Sequence, residues 1–578
     1  MLPEFRTDRL IVKPRPTASS SEIDNLRAEM GVLKVIPTNL GLQIWEIKPD
    51  TALQIKDALT GNSRLEYVQL DRIIRLDDFT TTSPSQQNLA TTTSQTTPPN
   101  DTDYSKLWGL NNTGQTGGTA DADIDHPEAL ALVTGTQKVP VGVIDSGIDY
   151  THPDLAANMW TNPGEIPGND KDDEGNGYID DVHGFNFVNN NGNVMDDNNH
   201  GTHVAGTIGG VGNNGKGVMG VNPNNVSLVA LKFLGADGSG ATSNAILAID
   251  YATRNAIPIS NNSWGGPVYD QGLYDAIKTA GEKGGLFIAA AGNTSTTNDI
   301  VPAYPAAYKL PNILSVAATD HKDILASYSN FGKNVHIAAP GSDIYSTLPG
   351  GKYGPLSGTS MASPHVAGAA ALLLSQNPSL KAEELKNTLV KTADPFTYPL
   401  LLPFVVDVIL DLKAGRLNVA DALQASTPNA NSNLGQTQLP IASTLSPAGA
   451  GNLTETANAG AAEDILTGGP AADTLMLPFA EPSVSAMAPV TYFGSENIDF
   501  LTEGGAMMNV PALFSPAVNS AAPTLEKDVM PVFTQAQGAL AGKQALENNS
   551  DPFAVDKTSP FADRYLVGLS DATKPLGF

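Results

Sequence analysis

Along the middle of the chain, short apolar runs recur: Val139–Ile144, Val226–Leu231, Gly285–Ala290 and Ile313–Ala317. None alternates apolar with polar, so each predicts a strand buried on both faces. Between them, Ser243–Asn255 and Gly272–Lys283 carry the three-to-four-residue apolar spacing of helices. Strands alternating with helices predict an α/β domain with a mainly parallel sheet over residues 101–427. Residues 1–76 show a smaller pattern. Leu10–Lys13 predicts a strand, and Ser20-Ser21-Glu22 opens a helix that stops at Gly31. Leu42–Ile47 alternates as a strand, Asp50 is placed to cap a second helix ending at Gly61, and Tyr67–Arg75 reads as a last strand. The order β-α-β-β-α-β predicts a small α+β, ferredoxin-like domain.

Residues 77–100, rich in Thr, Ser, Gln and Pro, bury too little apolar surface for a core and read as a flexible linker. Residues 428–578, dominated by Ala, Pro, Asn, Ser and Thr, read as a low-order tail of unassigned role. Within it Asp464–Leu475 looks like one degraded unit of a Gly-rich calcium repeat, and one unit cannot build a solenoid.

The 578 residues carry a net charge of −27. Phosphates would be repelled, which argues against nucleic-acid or anionic-membrane partners. The first 76 residues hold 11 Lys+Arg against 10 Asp+Glu, so the acidity lies downstream. With no cysteine, disulfides, thiolate catalysis and Cys-ligated zinc are excluded. The apolar run Pro399–Leu412 is interrupted by prolines and aspartates and is too short for a membrane span. No Sec-type leader is visible at MLPEFRTDRL.

Three segments carry chemistry: Asp145-Ser146-Gly147 directly after a buried strand, His200-Gly201-Thr202-His203-Val204-Ala205-Gly206, and Gly358-Thr359-Ser360-Met361-Ala362-Ser363-Pro364. A serine hydroxyl becomes a useful nucleophile when an imidazole takes its proton, and a carboxylate fixes the tautomer of that imidazole. Together the segments resemble the subtilisin-like serine proteases, whose triad runs Asp, His, Ser along the chain. Gly358-Thr359-Ser360-Met361-Ala362 is not the Gly-x-Ser-x-Gly of α/β-hydrolase esterases. The resemblance implies a three-layer subtilisin-like domain and an endopeptidase with Asp145, His200 and Ser360 as triad. His200 precedes a Gly- and Ala-rich apolar run that reads as a buried helix; His203 lies three residues along that helix, and the choice of His200 over it rests on the resemblance.

Asn293, in Ala289-Ala290-Ala291-Gly292-Asn293, matches the family's oxyanion asparagine. Gly238-Ser239-Gly240 and Ser263-Trp264-Gly265 match the two segments that hold an extended peptide between them. Ser263–Gly265, Ala291 and Gly292 would wall an uncharged first subsite with Ala303 at its floor, which implies a broad preference for large apolar residues. The first domain is similar to the family's inhibitory propeptide. This implies a secreted zymogen, extracellular or periplasmic, with protein substrates and its own propeptide as intramolecular inhibitor.

Calcium enters twice. In Asp170–Asp181, the side chains of Asp172, Glu174, Asn176 and Asp180 and the Tyr178 carbonyl follow the spacing of a calcium loop. His183 stands where the final bidentate Glu would be, and a plain acidic surface loop is the alternative. By resemblance Asp154 and Asp101 would be ligands of a second, structural ion enclosed by the loop Gly212–Val218.

Overall fold

The computed structural model describes residues 4–76, 98–395, 414–426, 497–501 and 507–511. The N-terminal part runs β1 (Phe5–Pro14), α1 (Ser20–Glu29), β2 (Lys34–Pro37), β3 (Gln43–Glu46), α2 (Ala52–Leu59) and β4 (Leu65–Arg75). These strands pair antiparallel in the order β2-β3-β1-β4, the ferredoxin-like arrangement. Ser19 and Glu22 form a reciprocal capping box at the start of α1. Asp50 does not cap α2: it turns the chain at φ 65°, and the helix begins after Thr51.

The larger part follows as α3 (His126–Leu132), β5 (Val139–Asp145), β6 (Gly184–Asn186), α4 (His200–Gly209), β7 (Val226–Lys232) and β8 (Ser239–Ala241). Then come α5 (Thr242–Arg254), β9 (Ile259–Asn262), α6 (Gln271–Glu282), β10 (Leu286–Ala290), β11 (Ile313–Thr319) and β12 (Ile337–Pro340). The hairpin β13 (Ile344–Leu348) and β14 (Lys352–Leu356) precedes α7 (Thr359–Gln376), α8 (Ala382–Lys391) and α9 (Val419–Ser426). A parallel seven-stranded sheet, β12-β11-β10-β9-β5-β7-β6, forms the middle layer. Successive residues of its strands feed opposite cores. Val141, Val143, Leu228 and Ala230 join α4 and α7 on one face, whereas Ile144, Val229 and Leu231 join α5 and α6 on the other. Both faces are covered, which is why β5, β7, β10 and β11 read as largely apolar runs rather than alternating ones.

Close approach behind the sheet depends on small residues. A Cβ on Gly206 of α4 would lie 2.2 Å from Thr347 Oγ1, and one on Gly368 of α7 would lie 2.6 Å from Val221 Cβ. Helix α7 is buried along almost its whole length and has little amphipathic character, as expected of a helix enclosed by core.

The N-terminal sheet divides its residues in the same way. Leu10 and Val12 pack under their own helices, while Ile11, Leu42 and Ile44 join the core around α5 and α6. Polar contacts ring this patch. Lys13 Nζ lies 2.6 Å from Asp275, and Gln69 donates to Asp270 at 2.7 Å while accepting from Gly272 N–H at 3.0 Å. The buried Asp71 carboxylate accepts from Ser243 N–H at 2.7 Å and from its hydroxyl at 2.6 Å. Asp71 thereby caps α5, whose own N-cap position, Ala241, has no side chain for the task.

In the unit Gln438–Met530, β15 (Asn497–Leu501) and β16 (Met507–Pro511) pair antiparallel, and the rest of the segment read as a low-order tail lies outside the described residues. Asp464–Leu475 and Pro399–Leu412 lie outside the described residues, as does all of the linker but its last three residues. No helix among the described residues is long and apolar enough to cross a membrane.

Candidate active site

Asp145 is the last residue of β5, at the carboxyl edge of the sheet, where open α/β sheets place their ligands. It is fully buried and accepts from its neighbour Ser146 N–H at 2.7 Å. The same oxygen lies 2.8 Å from Nδ1 of His200, the first residue of α4. Imidazole Nδ1 is thus committed to the Asp145 carboxylate. His203 is a different case. Its Nε2 lies 2.8 Å from the Ile344 carbonyl, and burial, then the charge of His200, lowers its pKa to about 3. The two histidines that sequence spacing left nearly equivalent are separated by their partners.

One carboxylate that the sequence did not single out braces this end of the site. Asp196 accepts from Ser146 Oγ at 2.9 Å, from Thr202 N–H at 2.9 Å and from Thr202 Oγ1 at 2.6 Å. Ser146 Oγ in turn accepts from Gly201 N–H at 2.9 Å. The first turn of α4 has no cap from its own Asn199 and takes these groups instead. The available signal was an aspartate shortly before a predicted helix start.

Ser360 sits in the first turn of α7 and is 4% exposed. Pro364, four residues on, has no N–H, so the Ser360 carbonyl loses its ordinary helical partner. Ser263 takes that place: its Oγ donates to the Ser360 carbonyl at 2.8 Å, while Ser360 Oγ donates to the Ser263 carbonyl at 3.1 Å. Asn293 Oδ1 accepts from Thr359 N–H and Thr359 Oγ1, each at 2.8 Å. This fixes the amide and turns Nδ2 away from Thr359. Asn293 Nδ2 is buried and makes no hydrogen bond within the described residues. A buried donor without an acceptor costs about 1–3 kcal/mol, which is tolerable where an acceptor arrives during reaction.

The segments expected to bind peptide hold part of the chain itself. Ile73, Ile74 and Arg75 pair antiparallel with Ala241, Gly240 and Ser239. Leu76 N–H donates to the Gly238 carbonyl at 2.9 Å, and Arg75 forms an antiparallel bridge with Gly265 on its other side. Trp264 is 2% exposed and meets Phe233 edge-on at 4.9 Å, so it supports the strand from within the core. Ala291 is fully buried, and a Cβ on Gly292 would lie 3.2 Å from Ala303 Cβ, which puts Ala303 beside that wall. Asp299 accepts from Lys333 N–H at 2.9 Å and so holds the loop at Lys333.

The acidic candidates are placed unevenly. Carboxylate oxygens of Asp172, Glu174 and Glu165 lie within 4.8 Å of one another. Glu165, outside the loop motif, went unrecognised in the sequence. Its Oε2 is buried with no hydrogen-bond partner among the described residues, and burial together with Glu174 raises its pKa well above the usual carboxylate range. Asn176 donates to Glu174 and Asp181, and Tyr178 packs against Phe185 and Tyr251. Asp180 faces elsewhere, accepting from Gly168, Asn169 and Asp170 N–H. Asp154 accepts from Asn214 Nδ2 and Val218 N–H, and Asp101 from Asn213 and Asn214 N–H. Residues of one loop, Asn213 to Val218, therefore hydrogen-bond to both carboxylates.

The fold is a layered α/β domain whose parallel sheet carries the Asp145–His200 pair at its carboxyl edge. The sequence profile of the subtilase family (Peptidase S8) matches residues 136–437, more than half of the chain, and the chain belongs to that family. It is 38% identical to subtilisin-like protease 1 of Plasmodium berghei over 47% of this chain and 49% of that one. It is 35% identical to a cell wall-associated protease of Bacillus subtilis over 57% of this chain and 36% of that one. Against subtilisin DY of Bacillus licheniformis it is 40% identical over 45% of this chain and 86% of the relative. The chain thus spans half or less of the length of the first two, and nearly all of the third. Residues 1–76 lie outside the family match.

Proposed function

We propose that the protein is a serine endopeptidase made as a self-inhibited, self-processed precursor. Ser360 attacks the peptide carbonyl, and His200 takes the hydroxyl proton and passes it to the leaving amine. Asp145 orients the imidazole and stabilises its charged form, and an acyl-enzyme on Ser360 is then hydrolysed. Asn293 Nδ2 and the Ser360 N–H receive the oxyanion. Substrates are extended protein segments, which add as a strand between residues 238–240 and 263–265. The proposed setting is extracellular or periplasmic.

One observation carries the self-inhibited reading: Ile73–Leu76 runs as a strand between those two segments, where a substrate would lie. The N-terminal domain then acts as propeptide, held by Ile11 and its polar rim. A Cβ on Gly272 of α6 would lie 2.9 Å from Ile11 Cγ2, so this contact is close. Ile11→Ala removes buried surface at the docking face and leaves the domain's own core intact. The loss of about 2–4 kcal/mol corresponds to roughly 30–1000-fold in affinity. The lag before full activity, followed with a fluorogenic peptide after activation of the full chain, should shorten by at least tenfold. An unchanged lag would detach inhibition from this face.

Calcium is proposed as a structural ion. The converging oxygens of Glu165, Asp172 and Glu174, with one buried oxygen unsatisfied, fit a hard cation. Asp154 and Asp101 are the second candidate pair. An ion that binds only the folded state stabilises it by about 2.7 kcal/mol at a hundredfold excess over its Kd. Chelation should therefore lower the melting temperature by several degrees and leave turnover in a short assay nearly unchanged. A melting temperature indifferent to EDTA sinks the calcium reading. A Glu165→Gln variant that keeps its full response to calcium removes the first cluster from it.

A further inference from the structure

We infer that the precursor is cut at the peptide bond between Asp77 and Asp78. The inference rests on the self-processing reading above and deepens it by naming the bond. It follows from the register of described residues. Arg75 is bridged antiparallel to Gly265. Each step forward on one antiparallel strand is a step back on its neighbour, so this register, if continued, assigns the second residue after Arg75 to Ser263. The Ser263 carbonyl is the one that Ser360 Oγ touches, at 3.1 Å. The second residue after Arg75 is Asp77.

The other edge of the strand gives the same answer. Leu76 N–H points to Gly238 at 2.9 Å. Backbone groups alternate sides along a strand, and Arg75, one residue before Leu76, turns to the Gly265 side accordingly. A strand continued for one residue beyond Leu76 in this register would direct its N–H at the Ser263 carbonyl and bring its own carbonyl carbon to the nucleophile. In the step, Ser360 Oγ bonds to the Asp77 carbonyl carbon and the Asp77–Asp78 bond breaks. The proton from Oγ passes through His200 to the Asp78 nitrogen, which leaves as an amine. Water then hydrolyses the ester, returning its proton to Ser360 and leaving a new carboxylate on Asp77.

The choice of this bond is geometric, because the first subsite does not favour aspartate. Ser263–Gly265, Ala291, Gly292 and Ala303 offer no cation to a carboxylate. An ionised side chain without a partner is costly to bury. The cut is made because the strand is tethered in place, which gives it a high effective concentration. Asp77→Leu should therefore speed the first cut at least tenfold.

The test uses the full-length precursor, sampled over time, with intact mass and terminal sequencing of the first fragments. Expected are a fragment ending at Asp77 and a partner beginning at Asp78. A variant with one alanine inserted between Leu76 and Asp77 should be cut after the inserted alanine, since register and not residue type sets the bond. A first cut elsewhere by the wild type, or an insertion variant still cut after Asp77, overturns the inference while self-processing stands. Cleavage of the Ser360→Ala precursor at the same bond, or an uncut wild type, overturns self-processing, and the inference falls with it. A first cut no faster in Asp77→Leu than in the wild type overturns the statement that aspartate is disfavoured there.

Discussion

Ser360→Ala is expected to abolish proteolysis and leave the precursor at full length, with residues 1–76 attached. The change deletes one oxygen from a residue that is 4% exposed and replaces it with the best helix former in the first turn of α7. Its hydrogen bond to the Ser263 carbonyl is lost, but the reciprocal bond, from Ser263 Oγ to the Ser360 carbonyl, uses only backbone at position 360 and survives. Folding and docking of the N-terminal strand should therefore be preserved. Turnover should fall by on the order of 10⁶, the scale found when the nucleophile of a subtilisin is removed. Residual turnover of roughly 10³–10⁴ over water would remain from binding and oxyanion stabilisation. Peptide assays together with gel analysis of freshly made precursor check both halves. Turnover within tenfold of wild type would remove Ser360 from the nucleophile's role. A Ser360→Ala chain that matures without added protease would leave Ser360 as nucleophile and refute self-processing.

The parts of this structure that could be read from sequence are those governed by periodicity over five or more residues. Strands β5, β7, β10 and β11 fall within two residues of their expected limits because burial on both faces keeps them largely apolar, with only a small serine inside β7 and β11. Helices α5 and α6 fall within one residue of theirs. Short elements have no period to show. The three-residue strands β6 and β8 and the four-residue edge strand β2 exist because neighbours pair with them.

Site residues follow a similar division. Asp145, His200 and Ser360 stand in local motifs, so their positions were visible. The roles of Asp196 and Glu165 come from three-dimensional convergence. Asp196 meets Ser146, fifty residues earlier in the chain, through the turn of the sheet edge. Glu165 reaches Asp172 and Glu174 from before the loop motif, whereas Asp180, which fits the motif spacing, is drawn off by three backbone N–H groups. Spacing gave the loop its acidic residues, but the backbone path decided which of them converge. The strand Ile73–Arg75 was expected on pattern alone, and its pairing with β8 could not be read from either segment separately.

Asn293→Asp is expected to separate catalysis from stability at the oxyanion position. Asn293 does two jobs with two atoms. Oδ1 accepts from Thr359 N–H and Oγ1 at the start of α7, and Nδ2 is buried with no partner in the described protein. Aspartate keeps the accepting oxygen and adds negative charge at a helix N-terminus, which is favourable by about 0.3–1 kcal/mol. The melting temperature should hold or rise slightly. The donor, however, becomes an anionic oxygen facing the place where negative charge develops. Losing one such donor costs about 10²–10³ in kcat, and repulsion adds to it. KM should change little, because the donor serves the transition state more than the bound peptide. Asn293→Ala gives the contrast: a similar loss in kcat, but also loss of the acceptor at α7, worth about 0.5–2 kcal/mol for a capping side chain. Steady-state kinetics and thermal melts on both variants settle the assignment. Wild-type kcat in Asn293→Asp, or a deficit carried entirely by KM, would show that Nδ2 does not face the oxyanion. An Asp variant as destabilised as the Ala variant would show that the Thr359 contact is not what holds this amide in place.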